Sequence, residues 1–371
     1  MQKKVFIYLA LLSSILLGIA SFVLFNSFTL FNHTQLVTSP LTEPSIIINQ
    51  LLNTSFHLQM IYGSTDLQDI QVYDVTPWQF KLHDIPYTSF TEGFIPSALN
   101  ETLLACVNQF RSLQKLAPIS YYYHYAETDH YYFLSLSDGL DTLYIINKRT
   151  HEVYTPSLSS SCKNTSDKIA AHMDEKQYVY DVKEGIDTFY VLTAKANSYA
   201  AYLYHFDKQT FTLTGFKKIS PSCLAVYPHH YALSSNGTSF FISEDGIQVE
   251  SLITSYEIPL SYPPTHLYYE EGQLYALGLS DQTLDYTLFD NQLNPLQTDS
   301  LSLPNSKVSL ISAFLSDALL YTITYDATHP VYGHYLTLYD LSTGKIVYCM
   351  GLKRHSSLAL LDVHFINTKR K

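Results

Sequence analysis

Pairs of short segments in which apolar and polar residues alternate recur along the chain. Each pair flanks a polar residue at which the chain is expected to turn, here called the corner. In "LTLYDLSTGKIVYCMG" (residues 336–351) the two runs flank Asp340. Alternation predicts a strand with one buried face, and Asp or Asn suits the corner because its side chain can bond the backbone two residues on. Five further stretches follow the same pattern, one of them loosely. The six corners are Asp74, Asn147, Asp207, Asp245, Asp290 and Asp340.

The spacing of these hairpins predicts a β-propeller. From Asn147 onward the corners lie 60, 38, 45 and 50 residues apart, and repeats of about 40–50 residues with four strands each are the propeller signature. One strand's worth of sequence follows the last hairpin, and about three strands, from Phe56, open the first unit. Together they complete one blade and leave no open edge. The prediction is an all-β, six-bladed propeller over residues 56–371, with seven blades as the alternative.

The hairpin "LTLYDLSTGKIVY" (residues 336–348) resembles the strand–turn–strand unit of the β-propeller repeat superfamily, in particular of quinoprotein-like and WD40-like bacterial propellers. The resemblance covers roughly residues 56–366 and is generic. The Trp that those repeats often carry after the turn is replaced by Tyr154 or Tyr348, or is absent. The resemblance implies the propeller fold and no specific family or activity.

One segment, residues 97–117, departs from the strand pattern. Its apolar residues recur at helical spacing, Ser97 is suited to cap the N-terminus, and Pro118 stops the helix. The apolar stripe consists of Leu99, Leu103, Val107, Phe110 and Leu113. We expect an inserted helix that covers an edge or an end of the propeller, with docking of a partner as the alternative.

The N-terminal segment predicts a membrane anchor. Residues 5–25 carry no charge, and a helix of that length spans ~31 Å, the thickness of the hydrocarbon core. Two lysines precede this run and no Lys or Arg follows until Lys81, which places the stub 1–4 in the cytoplasm and the remainder outside. Residues 26–55, rich in Thr, Ser, Asn and Pro, form a stalk. A cleaved signal peptide, which gives a secreted protein, is the alternative.

Composition narrows the range of partners. The chain has 32 Tyr, 20 Phe and 1 Trp among 371 residues, and aromatic enrichment favours strands. With 22 basic against 33 acidic residues, its net charge is -11. That balance argues against a nucleic-acid partner, which needs a basic face, and against docking on an anionic membrane surface. The expected partners are the membrane, through the N-terminal helix, and an unidentified envelope protein, peptide or glycan.

Catalytic and metal-binding motifs are sparse. The sequence has no Gly-rich phosphate loop, no GxSxG elbow and no HExxH motif. Its four cysteines contain no CxxC pair, so neither zinc nor another cofactor is expected. Cys162 and Cys223 follow their hairpin corners by 15 and 16 residues, which places them alike in adjacent blades. Outside the cytoplasm they could form a disulfide, with buried free thiols as the alternative.

The densest polar cluster is "YYYHYAETDHYY" (residues 121–132). Tyr is favoured in binding surfaces, and histidine close to carboxylates can do acid–base work or bind a metal, although a solvated turn explains the same residues. The candidate ligand-binding residues are Tyr121, Tyr122, Tyr123, His124, Asp129 and His130.

These patterns favour a membrane-anchored binding or scaffold module over an enzyme. A propeller enzyme, a hydrolase or lyase, needs titratable residues on the inner strands that line the central channel. The stretches expected to be inner strands, such as "YFLSLS", "FYVLTA", "YALSS" and "LYALGL", carry almost none. The enzyme stays the alternative, and a structural envelope protein without a ligand is the third reading.

Overall fold

A computed structural model describes most of the chain from residue 57 onward, together with three residues nearer the N-terminus. The described residues are 34–36, 57–64, 70–76, 79–83, 85–90, 93–122, 124–135, 143–158, 177–195, 200–220, 230–270, 272–280, 282–303, 308–316, 319–328, 332–353 and 359–365. Across them the chain forms strands β1 to β28 and one helix, α1.

The elements follow one another in chain order. The strands are β1 (Thr34–Leu36), β2 (Leu58–Gly63), β3 (Gln71–Thr76), β4 (Gln79–Leu82), β5 (Tyr87–Phe90), β6 (Gly93–Pro96), β7 (His124–Glu127), β8 (Tyr131–Ser135), β9 (Leu143–Asn147), β10 (Val153–Tyr154), β11 (Ser157–Leu158), β12 (Gln177–Glu184), β13 (Thr188–Lys195), β14 (Ala201–Asp207), β15 (Thr212–Ile219), β16 (Tyr231–Leu233), β17 (Ser239–Ile242), β18 (Gly246–Glu250), β19 (Ser255–Pro259), β20 (His266–Glu270), β21 (Gln273–Leu279), β22 (Thr283–Phe289), β23 (Pro295–Ser302), β24 (Ser309–Ser316), β25 (Leu319–Tyr325), β26 (Tyr332–Asp340), β27 (Lys345–Lys353) and β28 (Ala359–Phe365). The helix α1, between β6 and β7, spans Ser97–Leu113.

Two compact units divide these elements: Met1–Asp84 with Pro304–Lys371, and Ile85–Leu303. The first unit holds two sheets, with strand orders β28-β2-β3-β4 and β1-β27-β26-β25-β24. In the former, the last strand of the chain pairs with β2, so one late strand and three early strands complete a blade as predicted. Buried side chains of both sheets, among them Met60 and Leu338, form one core.

The second unit holds four sheets, each of which runs from an inner strand to an outer strand. Their orders are β7-β8-β9-β10, β12-β13-β14-β15, β16-β17-β18-β19 and β20-β21-β22-β23, and β11 extends the second sheet alongside β15. The inner strands contact one another in sequence, β7 with β12, β12 with β16, and β16 with β20. Large apolar side chains such as Phe133, Phe189 and Tyr204 fill the core between the first two sheets.

Six sheets of four or five strands therefore account for all strands described except those of the short hairpin β5–β6. The protein is an all-β, six-bladed β-propeller with one helix, as the hairpin spacing predicted. The longest interval between corners runs from Asn147 to Asp207, and its described residues contain no seventh sheet. The strands β11 and β12 in this interval belong to the sheet that also contains β13, β14 and β15.

Five of the six predicted corners lie at hairpin turns. The hydrogen bonds of their side chains show why these turns could be predicted from the sequence. Asp207 Oδ1 accepts hydrogen bonds from the backbone N–H groups of Gln209 (3.0 Å) and Thr210 (2.8 Å). Asp290 and Asp340 accept equivalent bonds. Because these bonds are local, residue type and spacing alone predict the turn.

The sixth predicted corner, Asp74, is wrong. Asp74 lies inside β3, where it pairs with Gln59 of β2 and Lys81 of β4, and β3 continues to Thr76. Its carboxylate accepts hydrogen bonds from side chains distant in sequence. Since alternation continues on both sides of Asp74, the pattern alone does not distinguish a corner from a polar position within a strand.

The helix is confirmed, with differences at both ends. Ser97, predicted as the cap, is the first helical residue, and Pro96 occupies the N-cap position. The helix ends at Leu113 and not at residue 117, because Lys115 has a φ of 58°, a left-handed conformation that ends helices. Leu103 is buried as the apolar stripe requires, but Leu113 is exposed.

The predicted membrane span, residues 5–25, lies outside the described residues, as do the stub and almost all of the stalk. Among the described residues, no helix is long and apolar enough to cross a bilayer. Within the predicted stalk, β1 pairs antiparallel with β27, Thr34 opposite Leu352. The anchor and the stalk therefore stay predictions.

Candidate functional site

The tyrosines predicted to form a ligand platform have opposite environments. Tyr121 is exposed. Its neighbour Tyr122 is buried in the core that contains Leu103 and Val107 of α1, and Tyr123 lies outside the described residues. The two described tyrosines therefore do not share a surface, and a ligand-binding role for the group stays a prediction.

The polar members of the same predicted group lie at or near one turn. His124 is the first residue of β7, and Asp129 and His130 lie between β7 and β8. His130 Nδ1 is 3.0 Å from Oε1 of Glu184, at the end of the inner strand of the next sheet. His130 thus takes part in a bridge between two blades.

Glu184 is the centre of that bridge. Lys208 Nζ donates to Glu184 Oε1 over 2.7 Å, and the Thr128 hydroxyl donates to Oε2 over 2.8 Å. Burial raises the pKa of Glu184, but the bonds from Lys208, Thr128 and His130 outweigh it and hold that pKa below its usual value. In the part of the chain that the structure describes, no group of three His, Cys, Asp or Glu side chains could hold a metal ion.

The predicted disulfide between Cys162 and Cys223 lies outside the described residues and stays a prediction. The two described cysteines, Cys106 and Cys349, are free thiols. Burial raises the pKa of Cys349 to about 11, which keeps it protonated and unreactive at neutral pH.

All but one of the sequence stretches that were expected to be the innermost strands of their sheets are the second strands from the inside. Strands β8, β13 and β21 each lie second in their sheets, and only β16 is innermost. The other inner strands of the second unit are β7 ("HYAE"), β12 ("QYVYDVKE") and β20 ("HLYYE"). Their many polar residues weaken the alternation by which strands are found. The expectation that inner strands lack titratable residues was therefore wrong.

Four residues on or beside these inner strands form what we term the inner cluster: Asp181, Lys183, Ser235 and Tyr269. Lys183 Nζ is 3.3 Å from Asp181 Oδ1, and the two side chains are 36% and 25% exposed. Val182 between them is buried toward the first sheet, so both charged side chains lie on the other face of β12. There the hydroxyl of Tyr269 of β20 lies near that of Ser235 and within electrostatic range of Lys183.

Partial burial governs the electrostatics of the inner cluster. Burial raises the pKa of Asp181, and the Lys183 ammonium and the Val182 N–H oppose that rise only in part. Burial likewise raises the pKa of Tyr269, against smaller effects of Ser235 and Lys183. A desolvated carboxyl with a specific charge partner is typical of functional sites, and the cluster offers both hydrogen-bond donors and acceptors.

The turn after Lys183 presents an apolar side chain next to the inner cluster. Ile186, at its tip, is 92% exposed. The turn is held in place because Lys208 Nζ donates to the Gly185 carbonyl over 3.1 Å. A Cβ on Gly185 would lie 3.1 Å from the Ser235 carbonyl oxygen, so glycine allows the two turns to approach closely.

The first unit contains a second polar group, the closing-blade cluster, formed by His57, Gln59, Asp74 and His83. Gln59 Nε2 donates to Asp74 Oδ1 over 3.0 Å, His57 Nε2 lies 3.1 Å from the same oxygen, and His83 Nδ1 lies 2.5 Å from Oδ2. Burial raises the pKa of Asp74, but these bonds outweigh it and hold that pKa below its usual value. The cluster fastens β2, β3 and β4 together.

A partly buried histidine, His205, lies between the second and third sheets of the second unit. His205 Nε2 has no hydrogen-bond partner among the described residues, and its ring packs edge-on against that of Tyr190, 4.7 Å away. Burial lowers the pKa of His205 to about 4, so the ring is neutral in the folded protein at neutral pH.

We expect the protein to lose stability in mild acid through His205. Its folded pKa lies below the ordinary value of about 6.5, so between these values the unfolded chain binds a proton that the folded chain does not. The contribution of the neutral His205 ring to the free energy of unfolding is complete above about pH 6.5 and is lost toward pH 4. Because the ring is partly exposed, this contribution amounts to about 1–2 kcal/mol. Thermal unfolding from pH 7 to 4.5 should be less pH-dependent for His205→Leu than for the wild type. Parallel pH curves for the two proteins would contradict this.

Comparisons with known proteins assign no family to this chain. No family model matches the sequence, and no curated protein matches it. Hydrazine synthase from Kuenenia stuttgartiensis is 12% identical over 61% of this chain and 64% of its own, with a TM-score of 0.36. The Dos1 propeller is 13% identical over 60% and 58%, with a TM-score of 0.37.

A quinoprotein alcohol dehydrogenase-like protein from Bacteroides thetaiotaomicron is 11% identical over 84% of this chain and 66% of its own, with a TM-score of 0.40. The chain spans less than two thirds of the length of the hydrazine synthase and of the Dos1 propeller. A generic β-propeller without a specific family fits these findings. Similarity at this level carries no statement about activity.

Proposed function

We propose that the protein is a membrane-anchored, extracytoplasmic β-propeller that binds an extended peptide segment of an envelope protein at the inner cluster. The observation that carries this proposal is the partly exposed Asp181–Lys183 pair of β12 near Tyr269 of β20, where inner strands of the second unit converge. A few convergent polar groups on a rigid scaffold are what orient a bound ligand.

The neighbouring turn favours a peptide over a glycan as the ligand. Ile186 supplies an exposed apolar contact next to the charged pair, and an apolar anchor beside polar groups suits a peptide, whose side chains and backbone amides use both. Its turn is held by Lys208, so little ordering entropy opposes binding.

The membrane anchor rests on residues 5–25 and on the positive charge that precedes them. A secreted protein after signal cleavage remains the alternative. Retention in the membrane fraction after an alkaline carbonate wash supports the anchor, and release into the medium contradicts it.

An enzyme is the second candidate, and the raised pKa of Asp181 favours it. A carboxyl whose pKa is raised holds its proton to higher pH than an ordinary one, which is the direction that a general acid requires. The two candidates differ in what Asp181→Asn does. A binding module loses partner affinity, whereas an enzyme that uses Asp181 as its acid retains and accumulates bound substrate.

Replacing Lys183 with methionine should weaken partner binding by about 10- to 100-fold, because a charged hydrogen bond to a ligand contributes about 1.5–3 kcal/mol. The measurement is affinity capture of the full-length tagged protein from its own membranes after mild crosslinking, read by quantitative mass spectrometry. Lys345→Met, at an exposed lysine of a hairpin in the first unit, is the matched control and should capture as much partner as the wild type. Equal recovery from all three proteins would overturn the assignment to the inner cluster.

A further inference from the structure

The last residue of α1 and the segment that follows it carry solvent-exposed apolar side chains. Leu113 is 78% exposed, Leu116 is 49% exposed and Tyr121 is 61% exposed. Leu113 is the last residue of the apolar stripe that the helix otherwise buries, as at Val107. We call residues 112–121 the helix-end knob.

The exposure of the knob is built into the fold. Arg111 Nε donates to the Ala117 carbonyl over 2.6 Å. Asn108 makes two bonds to the backbone of Ile119, donating from Nδ2 over 2.9 Å and accepting at Oδ1 over 2.7 Å. These bonds fix the chain that follows the helix, so the leucines are held outward on an ordered backbone and are not exposed by fraying.

The charge around the knob differs from that of the chain as a whole. Residues 102–126 contain no Asp or Glu, although the chain has 33 acidic residues against 22 basic ones. Arg111 and Lys115 both lie in this stretch, and Lys115 is exposed. Apolar side chains, a tyrosine and a lysine in a stretch of sequence that lacks acidic residues are a combination found at membrane interfaces, where Tyr lies at headgroup level and Lys reaches phosphate oxygens.

We propose that the helix-end knob inserts into the surface of the membrane to which the chain is anchored, with Leu113 and Leu116 in the acyl boundary and Lys115 at the phosphates. The inference rests on the anchor that is part of the proposed function. The partner is a lipid surface, since a few inserted apolar side chains near a tether need no large complementary face. The net charge of -11 opposes broad electrostatic docking, so apolar insertion is the main contribution.

Tryptophan fluorescence in vesicles tests this with the full chain. Trp78, the one tryptophan, is replaced by phenylalanine, and tryptophan is introduced as Leu113→Trp or, as the control, Leu296→Trp, at a leucine that is also more than half exposed and lies on β23. The protein is reconstituted into phosphatidylcholine vesicles with brominated acyl chains. We expect blue-shifted, bromine-quenched emission from Leu113→Trp and neither effect from Leu296→Trp.

The outcomes separate this inference from the anchor. Protein that floats with the vesicles but shows unquenched emission at position 113, or equal quenching at both positions, overturns the knob and leaves the anchor. A blue shift without quenching indicates a protein contact and also overturns it. Protein that does not float with the vesicles overturns both proposals.

Discussion

Replacing Phe189 with alanine is expected to lower the free energy of unfolding by about 3–5 kcal/mol, the cost of truncating a buried phenylalanine. Phe189 is fully buried. Its ring centroid lies 4.9 Å from that of Tyr131, 5.3 Å from that of Phe133 and 6.0 Å from that of Phe211. These rings come from two sheets, so the cavity would open in the core where one blade packs on the next.

Urea denaturation followed by far-ultraviolet circular dichroism measures the change. Phe189→Leu is the matched control, because it keeps most of the apolar volume and should cost less than about 1.5 kcal/mol. Equal losses for the two variants would show that the aromatic cluster does not hold the blades together.

Replacing Asp74 with alanine should cost about 2–3 kcal/mol, because hydrogen bonds to a charged group contribute about 1.5–3 kcal/mol and their partly buried donors lose their acceptor. The donors are the side chains of His57, Gln59 and His83. Since the folded pKa of Asp74 lies below its ordinary value, its contribution is complete at neutral pH and is lost only as pH falls below about 4.

Asp340→Ala is the control for Asp74. Asp340 is a true hairpin corner in the same unit, bonded to Ser342 and Thr343. Because these bonds lie within a partly exposed turn, its replacement should lower the free energy of unfolding by about 1 kcal/mol or less. Thermal or urea unfolding at pH 7 compares the two variants. An equal decrease in the free energy of unfolding for both variants would mean that the closing-blade cluster stabilises the protein no more than a single hairpin turn does.

What the sequence predicted correctly depends on local chemistry. Asp207 and Asp340 bond their own turns, and their spacing alone indicated repeated hairpins. The closing sheet was predictable because the two chain ends supply complementary numbers of strands. The helix was predictable from its stripe, but its end was not, since the left-handed conformation of Lys115 depends on bonds such as that from Arg111 to Ala117.

The candidate site could not be predicted in the same way. Lys183 and Tyr269 are far apart in sequence and lie within electrostatic range of each other because inner strands of different blades converge. The strand β12 that carries Asp181 has an irregular register between Val179 and Asp181, which breaks the alternation. Regular alternation instead predicts as inner strands several segments that are second in their sheets, such as β8 and β13, and these carry few titratable residues.

Site-directed photocrosslinking at position 186 tests the central claim most directly, namely that the inner cluster and its adjacent turn bind a partner. Full-length protein with benzoylphenylalanine in place of Ile186 is irradiated in its own membranes. The control carries the probe in place of Ile253, which is equally exposed at 92% but lies on the turn between β18 and β19. We predict one dominant adduct from position 186, reduced by Lys183→Met, and none from position 253. The same adducts at both positions, or none at position 186, would contradict the account.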